Sequence, residues 1–463
     1  MKKLIALLLA LGMLLSLTAC GKGGTSGKVN EKGVVEGSNV SASGQADTDV
    51  YIDMWGSWAN DNYRSVFLQE VADEFCKQYE EETGISVTFE YVGQGSYGAL
   101  SEKLASGAAT NILPVISQVE EQAFSRFYPL AADLSQYMKQ EVLDDYLDGL
   151  MVSCTRDGKK LAVPSARSYV VAIVNTDLLT AAGHSVEELE DWTWEEYHQI
   201  SKDISALGDD IYGSAVYWDE DAWIWESGLY SEGGAVDNED GTKILFDTKT
   251  GTPIINLMIE MMKEGSAYSA YNEYGYTEIT DATYPMFGSG KLGINIGSIT
   301  QYSGCKLYRD ESGNDFEILV AKQPAGAGGF SCVTGGSNMF ITQQATETQK
   351  KVAAAFFEYL AQPENVAAWS AVSGYMASTK SVENDPSFLA ECEKDPNLLN
   401  ILHYVEDAHA RPSTKHWQDM YSNVIIQDLV RLSQKPEDYD PAAVEAMVQG
   451  WAEKCQAIID EGN

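Results

Sequence analysis

A short segment of the chain concentrates the residue types that bind sugars and polyols. Aromatic and acidic side chains crowd into positions 217–230: Tyr217, Trp218, Trp223, Trp225 and Tyr230, with Asp219, Glu220, Asp221 and Glu226. A flat aromatic face packs against the C–H side of a polyol, and nearby carboxylates accept hydrogen bonds from its hydroxyls. Trp218 is the strongest candidate, because charge flanks it and no apolar period includes it. For each of these aromatics, a place in the hydrophobic core explains the residue equally well.

The chain is strongly acidic, which limits the partners it can bind. Its 463 residues include 31 Lys and Arg against 69 Asp and Glu, for a formal net charge of −38. This charge excludes a generic nucleic-acid binder, whose affinity rests on clustered cations. An anionic small molecule would need a local positive site, and Arg167 and Arg411 are the candidates. Structural ion pairs explain both arginines equally well, and a neutral sugar needs neither.

Catalytic, metal and cofactor signatures are absent from the sequence. It contains no P-loop, dinucleotide-binding fingerprint or nucleophile elbow. The histidines are not spaced as metal ligands on one helix face, and the acidic turn 237–241 lacks the ligand alternation of a calcium loop. Six cysteines follow Cys20 without a C-x-x-C pair, so we expect free buried thiols, with Cys305 and Cys332 the nearest candidates for a disulfide. We predict no metal, no cofactor and no catalytic residue.

Strand and helix patterns alternate along the chain from position 50, which predicts an α/β fold. Short strands are expected at 50–54, 85–92 and 112–116, with helices at 67–79 and 100–105. Capping boxes, Thr193 with Glu196 and Thr346 with Gln349, mark the starts of two further helices. The C-terminal part is predicted to be helical throughout.

The N-terminus carries the pattern of a lipoprotein signal. Lys2 and Lys3 precede the apolar run 4–17, and Leu17-Thr18-Ala19-Cys20 resembles the bacterial lipobox, in which the cysteine is lipidated and cleavage falls just before it. Residues 1–19 are therefore predicted to be a signal peptide. Residues 20–49 are predicted to be the lipid anchor and a flexible linker, since small polar residues dominate them. An ordinary signal with an accidental cysteine is the alternative.

The order of several short segments carries a family resemblance. They are Met54-Trp55-Gly56, Leu104-Ala105-Ser106-Gly107, Val163–Ser168, Asn175-Thr176-Asp177, Phe287–Lys291, Gly297-Ser298, Gly335-Gly336-Ser337, Ser373-Gly374-Tyr375 and Arg411-Pro412. Together they resemble the extracellular solute-binding proteins of bacterial ABC importers, family 1, which include many sugar binders. The segments at Gly335, Ser373 and Arg411 are most similar to the glycerol-3-phosphate-binding branch.

The resemblance implies the periplasmic-binding-protein fold of type II, with two α/β lobes built from discontinuous segments and a helical C-terminal extension. Family motifs place the changes of lobe near Arg167, Gly297 and Phe340. On that basis residues 50–167 with 297–340 form one lobe. Residues 168–296 with 341–463 form the other, and the ligand lies in the cleft between them.

The resemblance also implies ligand contacts. They are Ser168, Trp218, Trp223, Ser298, Gly336, Tyr375 and Arg411. Trp223 is the looser match, because extra residues separate it from Trp218. A glutamate of the glycerol-3-phosphate branch, expected shortly after the strand at 112–116, is not matched. Ile116 and Ser117 stand there, and Glu120 or Glu121 would replace it only with a shift.

These resemblances imply a lipid-anchored monomer on the extracellular face of the membrane. It would capture a sugar or oligosaccharide and deliver it to the permease subunits of an ABC transporter, without catalysis. The alternative ligand is glycerol 3-phosphate or a glycerophosphodiester. A surface glycoside-acting enzyme is a further alternative, because 69 acidic residues can supply a carboxylate pair. An adhesive lipoprotein is the last alternative function.

Overall fold

The computed structural model describes residues 48–218, 222–269, 279–412 and 414–462. The predicted signal peptide, Cys20 and most of the linker precede these ranges, and Asp219, Glu220 and Asp221 fall between the first two. Predictions on those residues lie outside the described part of the chain.

The described residues form a mixed α/β structure around one large sheet. Its strands are β1 (Asp49–Gly56), β2 (Ser86–Gly93), β3 (Ile116–Glu120), β4 (Thr155–Arg156), β5 (Lys159–Lys160), β6 (Val163–Asn175), β7 (Tyr212–Val216), β8 (Ala267–Ser269), β9 (Leu292–Ser298), β10 (Ile318–Lys322), β11 (Cys332–Ile341) and β12 (Ala408–His409). The sheet runs in the order β2-β1-β3-β11-β6-β9-β7-β8, with β10 paired to β6 and β12 to β11. β4 and β5 form a separate hairpin.

Helices connect most of these strands. They are α1 (Tyr63–Thr83), α2 (Tyr97–Thr110), α3 (Gln140–Asp145), α4 (Asp148–Met151), α5 (Thr176–Ala181), α6 (Trp194–Ser205), α7 (Trp223–Ser231), α8 (Thr248–Gly251), α9 (Pro253–Glu264), α10 (Ile279–Gly288), α11 (Thr300–Glu311), α12 (Glu347–Leu360), α13 (Pro363–Ser373), α14 (Pro386–Lys394), α15 (Asn397–His403), α16 (Trp417–Met420), α17 (Ile426–Gln434) and α18 (Pro441–Gly462). Within the described ranges, no helix is both long and apolar enough to span a membrane.

Strand β6 joins the two halves of the sheet. Its first part, from Val163 to Tyr169, pairs antiparallel with β11. From Val170 onward the same strand pairs with β9 and β10 instead. In the half beyond β11, β1 runs parallel to β2 and β3, and in the half beyond β9, β7 runs parallel to β8 and β9. The β6–β11 pair is therefore the backbone crossing between two α/β units.

Two hydrophobic clusters define two lobes. The cluster of the first lobe takes its residues from 50–163 and 339–361. The cluster of the second lobe takes nearly all of its residues from 169–333 and 401–459. A smaller cluster contains Val366, Ala367, Ala377, Val382, Phe388, Cys392 and Leu402. We propose this division by packing as the lobe boundaries.

The packing departs from the expected division in two segments. Residues 299–333 pack with the second lobe, where Cys305 and Val320 are buried. Helix α12 packs instead into the first lobe through Val352 and Phe356. The reason is that the chain crosses between lobes along β6 and β11 themselves, so it returns to the first lobe only after β11.

Local predictions and observed elements agree best where a side chain caps a helix. Both capping boxes are confirmed: Thr193 Oγ1 accepts from Glu196 N at 3.2 Å, and Thr346 Oγ1 accepts from Gln349 N at 3.2 Å. The expected strand at 112–116 is wrong by four residues, because Asn111 ends α2 at φ 57° and the pairing starts at Ile116. The helix expected at 100–105 begins earlier, since Ser96 caps α2.

The cysteines after position 20 are free thiols, as expected. Five are buried and Cys76 is half-buried, so Cys305 and Cys332 form no disulfide. Burial raises the pKa of Cys154 to about 12 and that of Cys76 to about 11, with Asp73 adding to the second shift.

Candidate functional site

The parallel strands of both lobes end near the crossing. In the first lobe β1, β2 and β3 run in the same direction, and Glu120 is the last residue of β3. In the second lobe β7 and β9 are parallel, and their carboxyl ends carry Trp218 and Ser298. Ligands of open α/β sheets bind outside the carboxyl ends of the strands. This edge is therefore the candidate site in each lobe.

A buried ion pair fixes the backbone crossing. Arg167, on β6, contacts a carboxylate oxygen of Glu121 at 2.6 Å, and both side chains are almost completely buried. The guanidinium also donates to Asn338 Oδ1 at 2.7 Å and Thr334 Oγ1 at 3.0 Å, both on β11. Charge-assisted bonds of this kind hold β6, β11 and the segment that follows β3 in one geometry. Arg167 is thus a structural cation.

Ser168 and Ser298, both predicted to contact ligand, bond to each other. Their hydroxyl oxygens lie 2.6 Å apart and join β6 to β9. Ser298 Oγ also accepts from Thr300 N at 3.2 Å at the start of α11. Both serines are buried, at 1% and 7% exposure. The structure places them together beside the crossing.

Gly336 and Trp223 lie at the same crossing. Gly336 has φ +89°, and a Cβ there would lie 2.0 Å from the carbonyl oxygen of Ala166 on β6. A Cβ on Gly335 would lie 2.6 Å from the Trp223 ring, so the indole packs directly on the β11 backbone. Trp223 Nε1 donates to the carbonyl of Val333 at 2.7 Å. The absence of side chains at both glycines thus allows this close packing.

Arg411 reaches the same region from the C-terminal part of the chain. Its Nη2 lies 2.8 Å from Glu226 Oε1, and both side chains are buried. Its guanidinium carbon also lies 5.9 Å from the centre of the Trp223 ring. Glu226, from the acidic and aromatic segment of the sequence, therefore neutralises the arginine that was a candidate for binding a ligand anion.

Trp218 does not offer a stacking face in this structure. Its side chain is 1% exposed within the core of the second lobe, and its Nε1 donates to Ser433 Oγ at 2.7 Å. Trp225 is likewise buried and packs edge to face on Trp451, with ring centres 5.6 Å apart. The core explanation therefore holds for both tryptophans, and Trp223 is the one of the three that packs against the crossing.

Tyr375 belongs to an aromatic group on the first lobe. Its ring stacks on Trp369 at 6.3 Å and 11°, and Trp58 lies 6.2 Å away. The guanidinium of Arg64 lies 5.3 Å from the Tyr375 ring centre. Burial raises the pKa of Tyr375, and the nearby Arg64 cation opposes that shift. Tyr375 is tied to the crossing, because Met376 N donates to the Arg167 carbonyl at 3.1 Å.

Two further residues lie at this site, and neither is among the predicted ligand contacts. Tyr97, the first residue of α2, lies beside Tyr375, and the charge of Glu120 acts on the pKa of both phenols. Burial is the main cause that raises the pKa of Tyr97. In the sequence, Glu120 or Glu121 replaces the family glutamate only with a shift. With β3 at Ile116–Glu120, Glu120 is the carboxylate that ends the strand.

One cluster in the described residues has ligand atoms close enough for a metal. His198, Glu260 and Glu264 lie within 4.8 Å of one another. Lys202 Nζ lies 3.0 Å from Glu264, however, and already supplies a positive charge there. The cluster is on the surface formed by α6 and α9, and we assign no metal to it.

The fold and the site together define a two-lobed α/β binding protein, with polar and aromatic groups where the lobes meet. The chain belongs to the bacterial extracellular solute-binding protein family, whose model matches residues 74–400. This family membership confirms the resemblance and the predicted fold class.

Similar proteins bind different small molecules. The diacetylchitobiose binding protein DasA of Streptomyces coelicolor is 25% identical over 300 residues, which are 64% of this chain and 63% of the relative. The sn-glycerol-3-phosphate-binding periplasmic protein UgpB of Rhizobium meliloti is 24% identical over 262 residues, 54% of this chain and 57% of the relative. The chain thus spans less than two thirds of either relative.

Solved structures share the whole fold. The cyclic alpha-maltosyl-1,6-maltose binding protein of Arthrobacter globiformis matches with a TM-score of 0.71 at 20% identity, covering 89% of this chain and 100% of that one. UgpB of Mycobacterium tuberculosis, in complex with glycerophosphocholine, matches with a TM-score of 0.68 at 19% identity, covering 89% and 99%. At these identities the likeness shows the fold alone.

Proposed function

We propose that this protein captures a sugar or oligosaccharide in the cleft between its lobes and delivers it to the permease of an ABC importer. The observation that carries the proposal is the group formed by Tyr97 and Tyr375 with Glu120, the residue that ends β3 of the first lobe. Aromatic faces pack on the apolar side of a sugar ring, and a carboxylate accepts its hydroxyl hydrogens. Relatives and structural neighbours that bind saccharides support this ligand class.

The proposed mechanism is cleft closure. The crossing of β6 and β11 is continuous backbone, whereas side chains on the two lobes contribute separately to the site. A ligand that binds one lobe and gains contacts from the other stabilises the closed form by its differential affinity. Trp223 on the second lobe and Tyr375 near the first are the proposed opposing contacts, with Ser168, Ser298, Gly336 and Arg411 shaping the cleft between them.

Binding without catalysis is the proposed role. The family consists of solute-binding proteins, and the candidate site is explained as a set of hydrogen-bonding and aromatic groups. Incubation with aryl glycosides and phosphate esters tests this, and we expect no turnover. Product formation that scales with protein concentration would instead support the glycosidase alternative.

Glycerol 3-phosphate or a glycerophosphodiester is the second candidate ligand. Relatives named for glycerol 3-phosphate support it. Glu120 is the carboxylate that we propose for the glutamate that the branch resemblance implies. Against it, Arg167 and Arg411 are each paired with a buried glutamate. A phosphate at either arginine would have to compete with that carboxylate.

A thermal-shift panel on the purified full chain tests the ligand class. Mono- and oligosaccharides, glycerol 3-phosphate, glycerophosphodiesters and simple polyols form the panel. A ligand at 1,000 times its dissociation constant adds about 4 kcal/mol of stability, enough to raise the melting temperature by several degrees. A shift with saccharides supports the first proposal, and a shift with phosphate compounds alone replaces it with the second. Trp223→Ala should abolish the shift. Trp192→Ala is the comparison, because Trp192 is buried in the second lobe against the Lys322 carbonyl, and this variant should keep the shift.

We further propose that Cys20 is lipidated and that the monomeric protein is anchored to the extracellular face of the membrane. Cys20→Ala should move the protein from the membrane fraction to the soluble fraction. Incorporation of labelled fatty acid should be lost in the same variant. A variant that stays in the membrane fraction would point to another means of attachment.

A further inference from the structure

Arg64 stands apart from the other arginines of this acidic chain. Of the seven arginines, five have a carboxylate within 4.0 Å: Arg156, Arg167, Arg309, Arg411 and Arg431. Arg126 is exposed, so water solvates its charge. Arg64 is half-buried beside the candidate site, and no carboxylate in the described ranges lies within 4.0 Å of it. Among the residues that the structure describes, Arg64 is thus the one partly buried guanidinium without a carboxylate beside it, in a chain with 69 acidic residues.

The guanidinium of Arg64 is held in a fixed orientation. Its Nε and Nη2 donate to the carbonyl of Ser373 at 3.0 and 2.8 Å. Its carbon centre lies 4.7 Å from the Tyr63 ring, 5.3 Å from the Tyr375 ring and 5.9 Å from the Trp58 ring. Aromatic faces and one carbonyl therefore position the planar fork before any ligand arrives, which lowers the entropy that binding costs.

Those contacts leave one end of the fork unused. Both bonds to Ser373 come from Nε and Nη2, and within the described part of the chain no group accepts a hydrogen bond from Nη1. This contact places the cation of Arg64, which lies on α1, at the carboxyl end of α13, where a positive charge suits the helix terminus. It does not explain why a partly desolvated charge has no carboxylate, since such a charge is costly without one.

We propose that Arg64 is a specificity-determining residue of the cleft, whose Nη1 donates charge-assisted hydrogen bonds to a carboxylate or phosphate on the bound solute. The solute class is thus an acidic saccharide or a glycerophosphodiester, and the inference rests on the proposed function. Arg64 touches Tyr375, so the anionic group lies beside the sugar or glycerol that Tyr375 and Glu120 contact. Arg167 and Arg411 keep their glutamate partners in this arrangement.

Isothermal titration calorimetry on the purified full chain tests the inference with three probes: maltotriose, digalacturonate and glycerophosphocholine. We expect one of the two probes that carry an anionic group, digalacturonate or the zwitterion glycerophosphocholine, to bind, and its affinity to fall as salt rises from 50 to 500 mM. Arg64→Gln should lower that affinity about tenfold or more, and Arg64→Lys, which keeps the charge, should lose less. Arg156→Gln is the control, because it removes the same charge from the β4–β5 hairpin and should bind as the parent does.

The outcomes separate this inference from the proposed function. If maltotriose alone binds, or if Arg64→Gln binds an anionic probe as tightly as the parent, the inference is overturned while solute binding stands. If none of the three probes binds, both proposals fail for these ligand classes. Thermal unfolding of each variant is measured alongside. Should Arg64→Gln fail to fold, Arg64→Lys decides, since equal affinity of Arg64→Lys and the parent for the probe that carries the anion would overturn the inference.

Discussion

Glu121 supplies the carboxylate that allows Arg167 to be buried at the crossing of β6 and β11. Breaking a buried pair on one side leaves a desolvated charge, which costs about 3–5 kcal/mol. We therefore expect Glu121→Gln to lower the free energy of unfolding by about that amount, measured as a lower urea midpoint with an unchanged slope. Glu391→Gln is the control, because its pair with Lys394 is exposed and should cost less than 1 kcal/mol.

A small loss in Glu121→Gln, similar to that of the control, would show that water or rearrangement already compensates Arg167. A large loss would show that Asn338 and Thr334, which still accept hydrogen bonds from Arg167 in the variant, do not replace the charge of Glu121.

The free thiols give a second prediction at this scale. The thiolate is the form that reacts, and burial raises the pKa of Cys154 and Cys455 to about 12 and that of Cys76 to about 11. At pH 8 a disulfide reagent should therefore label Cys76 slowly and leave the buried thiols unmodified. In urea all six should react. Rapid labelling of more than one thiol in the folded protein would contradict the burial described for the five others.

Single residues also show where sequence reasoning succeeds. The capping residues Thr193 and Thr346 were predicted correctly, because a cap depends on side chains within one turn of helix. The burial of Trp218 was not apparent from the sequence, because it depends on α17, which lies more than two hundred residues later and supplies Ser433. Its acidic neighbours in the sequence carry no information about that contact.

At the scale of elements, the β11–β6 pair has no room for a side chain at Gly336. A Cβ would meet the Ala166 carbonyl at 2.0 Å, and φ is +89°, where only glycine is unstrained. Gly336→Ala should therefore displace one strand, weaken ligand binding and lower the urea midpoint. Gly450→Ala in α18 is the matched control. A Cβ there meets nothing within 4 Å, so about 1 kcal/mol of added stability is expected from helix propensity.

Equal stability in the two glycine variants would mean that β6 and β11 can move apart to accept the added methyl group without a loss of free energy of unfolding. Loss of binding in Gly336→Ala without loss of stability would instead assign the glycine to ligand contact directly, as the family resemblance implies.

Element boundaries were harder to predict than element types. The apolar run at 112–116 looked like a strand, but Pro114 and the left-handed Asn111 delay pairing until Ile116. The later start moves the end of the strand to Glu120, a position that the sequence pattern did not mark as a strand end. The lobe assignment that we propose for 299–333 required knowing that β6 pairs in both halves of the sheet, and no local pattern contains that information.

At the scale of the whole molecule, two lobes joined by continuous strands predict a hinge motion on binding. Small-angle X-ray scattering of the full chain should show a smaller radius of gyration with saturating ligand than without it. The control is Trp223→Ala at the same ligand concentration, which should keep the unliganded radius. An unchanged radius with bound ligand would show that the cleft is already closed in the free protein.

The pairing of β11 with β3 has a consequence for how the chain is made. Ser337 lies opposite Glu120, so the sheet of the first lobe is completed by residues that follow it by more than two hundred positions. A ribosome adds residues one at a time from the N-terminus, at about 5–20 per second. For tens of seconds the nascent first lobe therefore carries β3 with an open edge, and it needs protection from other chains until β11 emerges.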